Sequence, residues 1–353
     1  MAVIPKIFVT GITGYVGGDA IYALLTKYPS WESSISVLIR NAERGKLIQK
    51  AWPGMRLVVG GLDDVELLQS EALQADIILN FADSDHPPSA SALARGAQLH
   101  PPNRPAFIIH TSGTGILTWK TVQSRTFGEL EDKEYDDWDG IEEVTSLPDH
   151  AAHRNVDKIF LEAGGDDSSY VRTAIVCPPT IYGVGRGPAN TRSQQLYDLT
   201  AITLKLGISK RVGKGENRQT HIHVHDLSDL YVLLIEAATQ GGGKATWGPK
   251  GYYFSSRGQE HAWGEVAASI AKVAHELGYI ASDTVSEFSA EESNRSAGHA
   301  PASLVFGGNA REKSIRARKL LGWAPNRGSL FDEIREAVES EASRLGLERN
   351  ISP

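Results

Sequence analysis

Short apolar runs alternate with amphipathic stretches over the first half of the chain. The runs lie at residues 6–10, 34–39, 55–59, 76–81, 106–111 and 170–176. Runs of Val, Ile and Leu of this length are typical of buried parallel strands. Helical spacing falls between them at residues 15–27, 42–51, 64–73 and 90–99. This alternation predicts an α/β fold with a doubly wound parallel sheet, covered by helices on both faces.

The pattern changes after residue 176. A Pro- and Gly-rich stretch is followed by helical spacing near 191–207, an alternating strand leading into a helix at 228–239, and helices at 263–277, 311–321 and 330–345. We therefore predict a main domain over residues 1–176, with a returning segment at about 219–255. Residues 177–218 and 256–353 are predicted to form a smaller C-terminal substrate-binding lobe.

Three glycines, Gly11, Gly14 and Gly17, separate the first predicted strand from the first predicted helix. A glycine-rich turn in this context lets the backbone approach a pyrophosphate, which the helix N-terminus then stabilises. The turn also contains Thr13, Tyr15 and Val16, and all six residues are predicted cofactor contacts. The alternative is a glycine-rich turn that binds nothing.

Cofactor choice is read at the end of the second predicted strand, in "SVLIRNAERGK". An acidic residue there binds the ribose 2′-hydroxyl of NAD, whereas an arginine can meet the 2′-phosphate of NADP. Arg40 stands at this position, and no Asp or Glu ends the strand. The sequence therefore favours NADP(H), with NAD(H) as the alternative cofactor and a surface arginine as the alternative role for Arg40.

Several motifs together resemble those of the extended short-chain dehydrogenase/reductase superfamily, which contains nucleotide-sugar epimerases and dihydroflavonol-type reductases. They are "TGITGYVG", "ADIILNFAD", "IIHTSGTG", "VRTAIVCPPTIYGVG" and "GKGENRQTHIHVHDL". The resemblance implies an NAD-dependent epimerase/dehydratase-like Rossmann domain. It implies that Ser112 binds the substrate oxygen and that further cofactor contacts come from Leu62, Asp63, Phe81, Ala82, Thr111, Pro178 and Ile181.

One departure concerns the superfamily's Tyr-x-x-x-Lys element, which occurs nowhere in this chain. Lys158 resembles the lysine that binds the nicotinamide ribose, but Arg154 stands where the proton-donating tyrosine is expected. A guanidinium stays protonated in proteins, so Arg154 could stabilise negative charge but could not transfer a proton. The candidates for a replacement acid are His153, His150 and Tyr182, with Ser112 and Thr114 orienting the oxygen.

These observations predict an atypical NADP(H)-binding oxidoreductase that acts on a carbonyl or alcohol group of a small organic substrate. Two alternatives remain open: a non-redox isomerase, lyase or cyclase that uses Arg154 as a clamp, and a non-catalytic NADP(H)-binding redox sensor.

Composition excludes other classes of protein. The 353 residues carry a net charge of −7, which argues against nucleic-acid binding. Cys177 is the single cysteine, so no internal disulfide or Cys-rich zinc site can form. With no apolar run long enough for a membrane and no leader pattern, we expect a cytoplasmic protein that can form a homodimer.

Two further segments carry charge or imidazole groups. His221, His223 and His225 would alternate onto one strand face, but same-face neighbours lie ~7 Å apart, so we predict no metal site. Residues 128–144 contain nine acidic residues, and we predict a solvated loop there.

Overall fold

The computed structural model describes residues 4–101, 103–165, 170–295 and 301–349. Its strands are β1 Ile7–Thr10, β2 Ile35–Ile39, β3 Arg56–Val59, β4 Ile77–Asn80, β5 Ala106–Thr111, β6 Tyr135–Asp136, β7 Val171–Cys177, β8 Thr180–Tyr182, β9 Ser209–Val212, β10 Arg218–His223, β11 Tyr252–Phe254, β12 Glu260–Ala262, β13 Val285–Phe288 and β14 Glu312–Lys313. Its α-helices are α1 Tyr15–Lys27, α2 Ala42–Ala51, α3 Val65–Gln74, α4 Pro87–Gln98, α5 Trp119–Ser124, α6 Ile141–Thr145, α7 Arg154–Gly164, α8 Gln195–Leu206, α9 Val224–Thr239, α10 Trp263–Glu276, α11 Ala290–Arg295, α12 Ala302–Gly307, α13 Arg316–Leu321 and α14 Ile334–Leu345.

In the described part of the chain, seven strands form one parallel sheet in the order β11-β7-β5-β4-β1-β2-β3. The order reverses between β1 and β4, since β2 and β3 extend to one side and β5 and β7 to the other. In open α/β sheets, ligands bind beside the carboxyl ends of the strands at such a reversal. The predicted doubly wound parallel sheet is therefore confirmed, and its topology places a binding site next to Thr10 and Asn80.

Alternate side chains of β1 explain why both faces of the sheet are covered. Ile7 and Val9 pack with α1 and α9 in one apolar cluster, whereas Phe8 packs with α3, α4 and α7 in another. All three side chains are at most 1% exposed. Burial on both faces accounts for the continuous apolar runs in the sequence.

A second lobe stands beside the carboxyl edge of this sheet. Its apolar cluster joins α8, α10, α12 and α14, with Leu196, Trp263, Phe306 and Ile334 all buried. Strand β10 lies in a small sheet between β8 and β12, while α9 and β11 return to the main domain. No helix within the described ranges has both the length and the apolarity needed to cross a bilayer.

The acidic segment 128–144 differs from the predicted solvated loop. Asp137 is fully buried, and its carboxylate accepts hydrogen bonds from the backbone of Phe254, Ile315 and Arg316. Burial raises its pKa to about 6, although the hydrogen bonds and the Arg316 guanidinium act against that rise. The segment therefore ties β11 to the start of α13, and its β6 pairs with β14. The helix predicted over residues 311–321 begins only at Arg316.

The histidine-rich segment also differs from the predicted alternating strand. β10 ends at His223, whose Nδ1 accepts from the backbone N–H of His225 and caps α9. His221 instead contacts His261, with their Nδ1 atoms 3.2 Å apart. The three imidazoles therefore do not share a strand face. Within the described residues, no group of three or more His, Cys, Asp or Glu side chains is arranged to hold a metal ion.

Candidate active site

The glycine turn between β1 and α1 has the geometry of a phosphate cradle. Gly11 has a positive φ of 80°, and a Cβ there would lie 2.5 Å from the backbone of Phe81. At Gly17, a Cβ would lie 2.5 Å from the carbonyl oxygen of Gly11. A Cβ at Gly14 would instead meet only that carbonyl at 3.1 Å and would otherwise enter open space. The space above Gly14 therefore fits a bound group that a side chain would displace.

The start of α1 leaves backbone donors for an anion. No side chain caps this helix, and its first turn contains no acidic residue. The first N–H groups of any helix lack intrahelical partners and carry partial positive charge. Because these donors face the space above Gly14, the residues present fit the pyrophosphate of a dinucleotide.

The predicted adenosine end lies at the carboxyl ends of β2 and β3. Arg40 follows β2 and is exposed. Leu62 is partly buried, whereas Asp63 is exposed and its carboxylate contacts Nε2 of His86 at 3.2 Å. Asp64 accepts from the backbone N–H of Gly61 at 2.6 Å, which fixes the turn into α3.

A cleft of about 1270 Å³ runs from the cradle to the second lobe. It exceeds the ~300–1,000 Å³ of a typical single-ligand pocket, so it offers room for a dinucleotide and a substrate together. The predicted cofactor residues that line it are Gly14, Tyr15, Val16, Phe81, Thr111, Pro178 and Ile181. Ser112 and His153 line the same cleft. Thr13 and Ala82 are partly buried beside the cradle but do not line this cavity.

Ser112 is held by a buried carboxylate. Its hydroxyl donates to Oδ2 of Asp157 at 2.9 Å, and the hydroxyl of Tyr252 donates to the same oxygen at 2.9 Å. Asp157 and Tyr252 are both fully buried. Since Tyr252 also holds the carboxylate, Asp157 keeps a hydrogen bond when the Ser112 hydroxyl turns toward a ligand.

Further polar side chains lie within the sheet next to Asp157. The hydroxyl of Thr10 donates to Oδ1 of Asn80 at 2.6 Å, so the Asn80 amide nitrogen faces Nδ1 of His110 at 3.0 Å. His110 Nδ1 therefore accepts, and its proton lies on Nε2, which is 3.5 Å from Oδ1 of Asp157. This network crosses the strand reversal and supports the floor of the cleft beneath Ser112.

His153 lines the cleft and lies immediately before α7. Its Nδ1 lies 3.0 Å from Oδ1 of Asp85 and 3.1 Å from the hydroxyl of Ser84. Its backbone N–H also donates to Asp85, at 3.1 Å. The ring fits because residues 113 and 115 are glycines, where a Cβ would lie 3.2 and 3.1 Å from Nε2.

Asp85 sets the protonation of this histidine. Burial acts to lower the pKa of His153, but the hydrogen bond and the negative charge of Asp85 outweigh it, so the pKa is raised. The same hydrogen bond lowers the pKa of Asp85, which keeps that carboxylate ionised. With Nδ1 engaged by Asp85, Nε2 is the nitrogen left for a ligand in the cleft.

Comparisons with known proteins identify relatives of this chain, although no family model matches it. The oxidase ucsJ of Acremonium sp. is 38% identical over 349 residues, covering 97% of this chain and 99% of that protein. An uncharacterized protein of Schizosaccharomyces pombe is 25% identical and covers 93% of this chain and 98% of its own. This chain belongs to the family of the oxidase ucsJ.

Solved structures of a sugar-nucleotide dehydratase and epimerase share the fold. A dTDP-glucose 4,6-dehydratase from Streptomyces venezuelae, with NAD and DAU bound, matches with a TM-score of 0.66 and 17% identity over 97% of this chain and 98% of that chain. A UDP-glucuronic acid 4-epimerase from Bacillus cereus, in complex with UDP-glucuronic acid and NAD, matches with a TM-score of 0.63 and 13% identity over 96% and 99%. At these identities the likeness shows the fold alone.

Arg154 and Lys158 lie away from the cleft, unlike the positions that the resemblance implies for them. Lys158 pairs with Asp149 at 2.8 Å and is partly exposed, and Arg154 is buried with Nε and Nη1 lacking hydrogen-bond partners. Neither side chain lines the cleft. His153, which precedes α7 with a positive φ of 62°, lines the cleft, and Asp157 on α7 accepts a hydrogen bond from Ser112 in the floor.

Tyr182 is also placed differently from the expectation that it reaches the substrate. Its ring is 1% exposed within the second lobe, and its hydroxyl donates to the carbonyl oxygen of Gly328. Burial raises its pKa to about 12. Tyr182 therefore supports the lobe and lies outside the lining of the cleft.

Sequence reasoning missed Asp85, His110 and Asp157. Two signals were present: a histidine inside the apolar run "FIIHT", and an aspartate four residues after His153. Asp85 gave no signal, since its role depends on a partner 68 residues away.

Proposed function

We propose that this protein is an NADP(H)-dependent oxidoreductase that interconverts an alcohol and a carbonyl group on a small organic substrate, with His153 as the proton donor and acceptor. The observation that carries the proposal is the His153 imidazole, held by Asp85 and lining the same cleft as Ser112. The description of the relative ucsJ as an oxidase supports redox chemistry.

Each residue then has one task. When bound in the cleft, the nicotinamide ring supplies or accepts the hydride. His153 delivers a proton to the substrate oxygen from Nε2 during reduction, and removes it there during oxidation. Ser112 orients the same oxygen, turning its hydroxyl from Asp157 while Tyr252 keeps the carboxylate hydrogen-bonded.

The sign of the pH dependence follows from the raised pKa of His153. Reduction requires the protonated imidazole, so its rate should fall as the pH rises through this pKa. Oxidation requires the neutral imidazole, so its rate should rise over the same range.

The preference for NADP(H) is part of the proposal and is supported by the exposed Arg40 at the end of β2. The solved relatives with NAD bound support a nicotinamide dinucleotide of either type. The non-redox alternative depended on Arg154 as a clamp in the active site, and Arg154 lies outside the cleft lining.

The test starts with binding and ends with turnover. The purified chain is titrated with NADPH and with NADH while nicotinamide fluorescence is followed, and the consumption of NADPH is then measured with a panel of ketones and aldehydes. We expect tighter binding of NADPH and its consumption with at least one carbonyl compound. Binding of neither nucleotide would overturn the proposal, and binding without turnover on any compound would favour a redox sensor.

A further inference from the structure

Two arginines on the substrate side of the cleft already have carboxylate partners. Arg192 lines this side, and its Nε donates to Oε1 of Glu341 at 2.7 Å while its Nη2 donates to Oδ1 of Asp198 at 2.8 Å. Arg344 donates from Nε to the other oxygen of Glu341 at 2.8 Å. These hydrogen bonds outweigh the effect of burial and hold the pKa of Glu341 below its usual range. Both arginines on this side of the cleft are therefore already paired with carboxylates.

Gln219, a buried polar side chain on this side of the cleft, also has hydrogen-bond partners within the protein. Gln219 accepts from the hydroxyl of Thr180 at 3.0 Å through Oε1. Its amide nitrogen donates to the carbonyl oxygens of Val305 at 3.0 Å and Gly308 at 3.1 Å. Gln219 thus ties β10 to α12 and leaves no donor for a ligand.

Part of the remaining wall is apolar, beside the polar side chains of Asn190, Gln194 and Gln195. Ala201 and Ile202 of α8 and Leu304, Val305 and Phe306 of α12 line this part of the cleft. We call these five side chains the apolar wall. Among the cleft-lining residues that the structure describes, Lys205 is the cation without an ion pair, and it is exposed at the end of α8.

We infer that the substrate half of the cleft binds an apolar ketone or secondary alcohol that carries no phosphate; the inference rests on the proposed function. A sugar nucleotide would bring two phosphate charges to a region whose arginines are occupied. Burying such charges without partners is costly, whereas apolar area gains free energy when it leaves water. The reacting oxygen would then point to His153 and Ser112, and the hydrocarbon part would contact the apolar wall.

The test measures ligand binding and so does not depend on turnover. The full chain, alone and saturated with NADP⁺, is titrated with the fluorescent ketone 6-propionyl-2-(dimethylamino)naphthalene, and UDP-glucuronic acid is added as a competitor. Val305→Asp places a carboxylate in the apolar wall. Val122→Asp is the matched control, because Val122 is 44% exposed on α5 and lies outside the cleft lining.

We expect saturable, blue-shifted binding of the ketone that UDP-glucuronic acid does not displace. Val305→Asp should weaken this binding about tenfold or more, with unchanged NADPH affinity, and Val122→Asp should behave as the natural chain. Displacement by UDP-glucuronic acid, failure of the ketone to bind, or equal ketone affinity in Val305→Asp would each overturn the inference. The proposed function fails on separate evidence, namely the absence of nucleotide binding or of NADPH consumption.

Discussion

The phosphate cradle and the start of α7 lie at the same edge of the sheet, but the first is formed by backbone groups and the second by side chains. The cradle consists of backbone: Gly11, Gly14 and Gly17 leave room, and the N-terminus of α1 supplies the donors. The proposed acid–base group consists of side chains, with His153 and Asp85 brought together from positions 68 residues apart. A backbone site keeps a recognisable spacing in the sequence, whereas a side-chain site depends on contacts between distant residues.

The largest expected effect is on the free energy of unfolding, and it should differ between a buried and an exposed carboxylate near α7. Asp157→Ala would leave the hydroxyls of Ser112 and Tyr252 without their shared acceptor in a buried region. Each buried donor left without a partner costs about 1–3 kcal/mol, so the free energy of unfolding should fall by roughly 2–6 kcal/mol in urea denaturation. Asp149→Ala, which removes the partner of Lys158, should leave it nearly unchanged. Equal effects of the two variants would show that the network carries no special stability.

The second effect concerns the cradle. Gly14 has a φ of −80° that any residue adopts, and a side chain there would enter open space. Gly14→Val should therefore fold normally by circular dichroism, yet lose at least about a hundredfold in NADPH affinity because the side chain fills the pyrophosphate position. Gly14→Ala should lose less. A folded Gly14→Val variant with natural affinity would mean that the nucleotide binds elsewhere.

A smaller effect is expected at the adenosine end. Arg40→Ala should weaken NADPH binding about tenfold, since a charge-assisted contact to a phosphate contributes ~1.5–3 kcal/mol. NADH binding should hardly change. Arg44→Ala, one turn into α2, serves as the control for loss of a nearby positive charge. If the natural chain binds both nucleotides equally, Arg40 is a surface residue without a role in cofactor choice.

The smallest effect is a displacement of the pH profile. Asp85→Asn removes the negative charge that raises the pKa of His153. The pH at which the reduction rate declines should then move to lower values, while NADPH affinity stays the same. The measurement is the rate of NADPH oxidation against pH in both proteins. Superimposable profiles would assign the titrating group to some residue other than His153.

The difference between the two regions also explains what could be predicted. The sheet, the helices and the cradle follow from local patterns, because apolar periodicity and glycine spacing act over a few residues. The floor of the cleft joins Asn80, His110 and Asp157 from β4, β5 and α7, and their meeting depends on sheet order and helix rotation. The resemblance placed Arg154 and Lys158 at the site, because motif spacing alone does not show which side chains near α7 reach the cleft.

Asp137 illustrates the same limit in the acidic segment. Asp132 and Asp139 of this segment are exposed, and composition predicted a loop held in water. The three backbone donors to Asp137 come from residues 254, 315 and 316, far along the chain. A buried acid of this kind is invisible to charge counting, because its partners are main-chain N–H groups that every sequence contains.

In the proposed function His153, and not Arg154, donates and accepts the proton of the substrate oxygen. This role is tested most directly by single-turnover NADPH oxidation in His153→Gln and Arg154→Gln, with His150→Gln as a control on a nearby histidine outside the cleft lining. The account predicts a loss of about 10²- to 10⁴-fold in the rate for His153→Gln, with unchanged NADPH affinity and near-natural rates in the other two variants. A large loss in Arg154→Gln together with a retained rate in His153→Gln would contradict it.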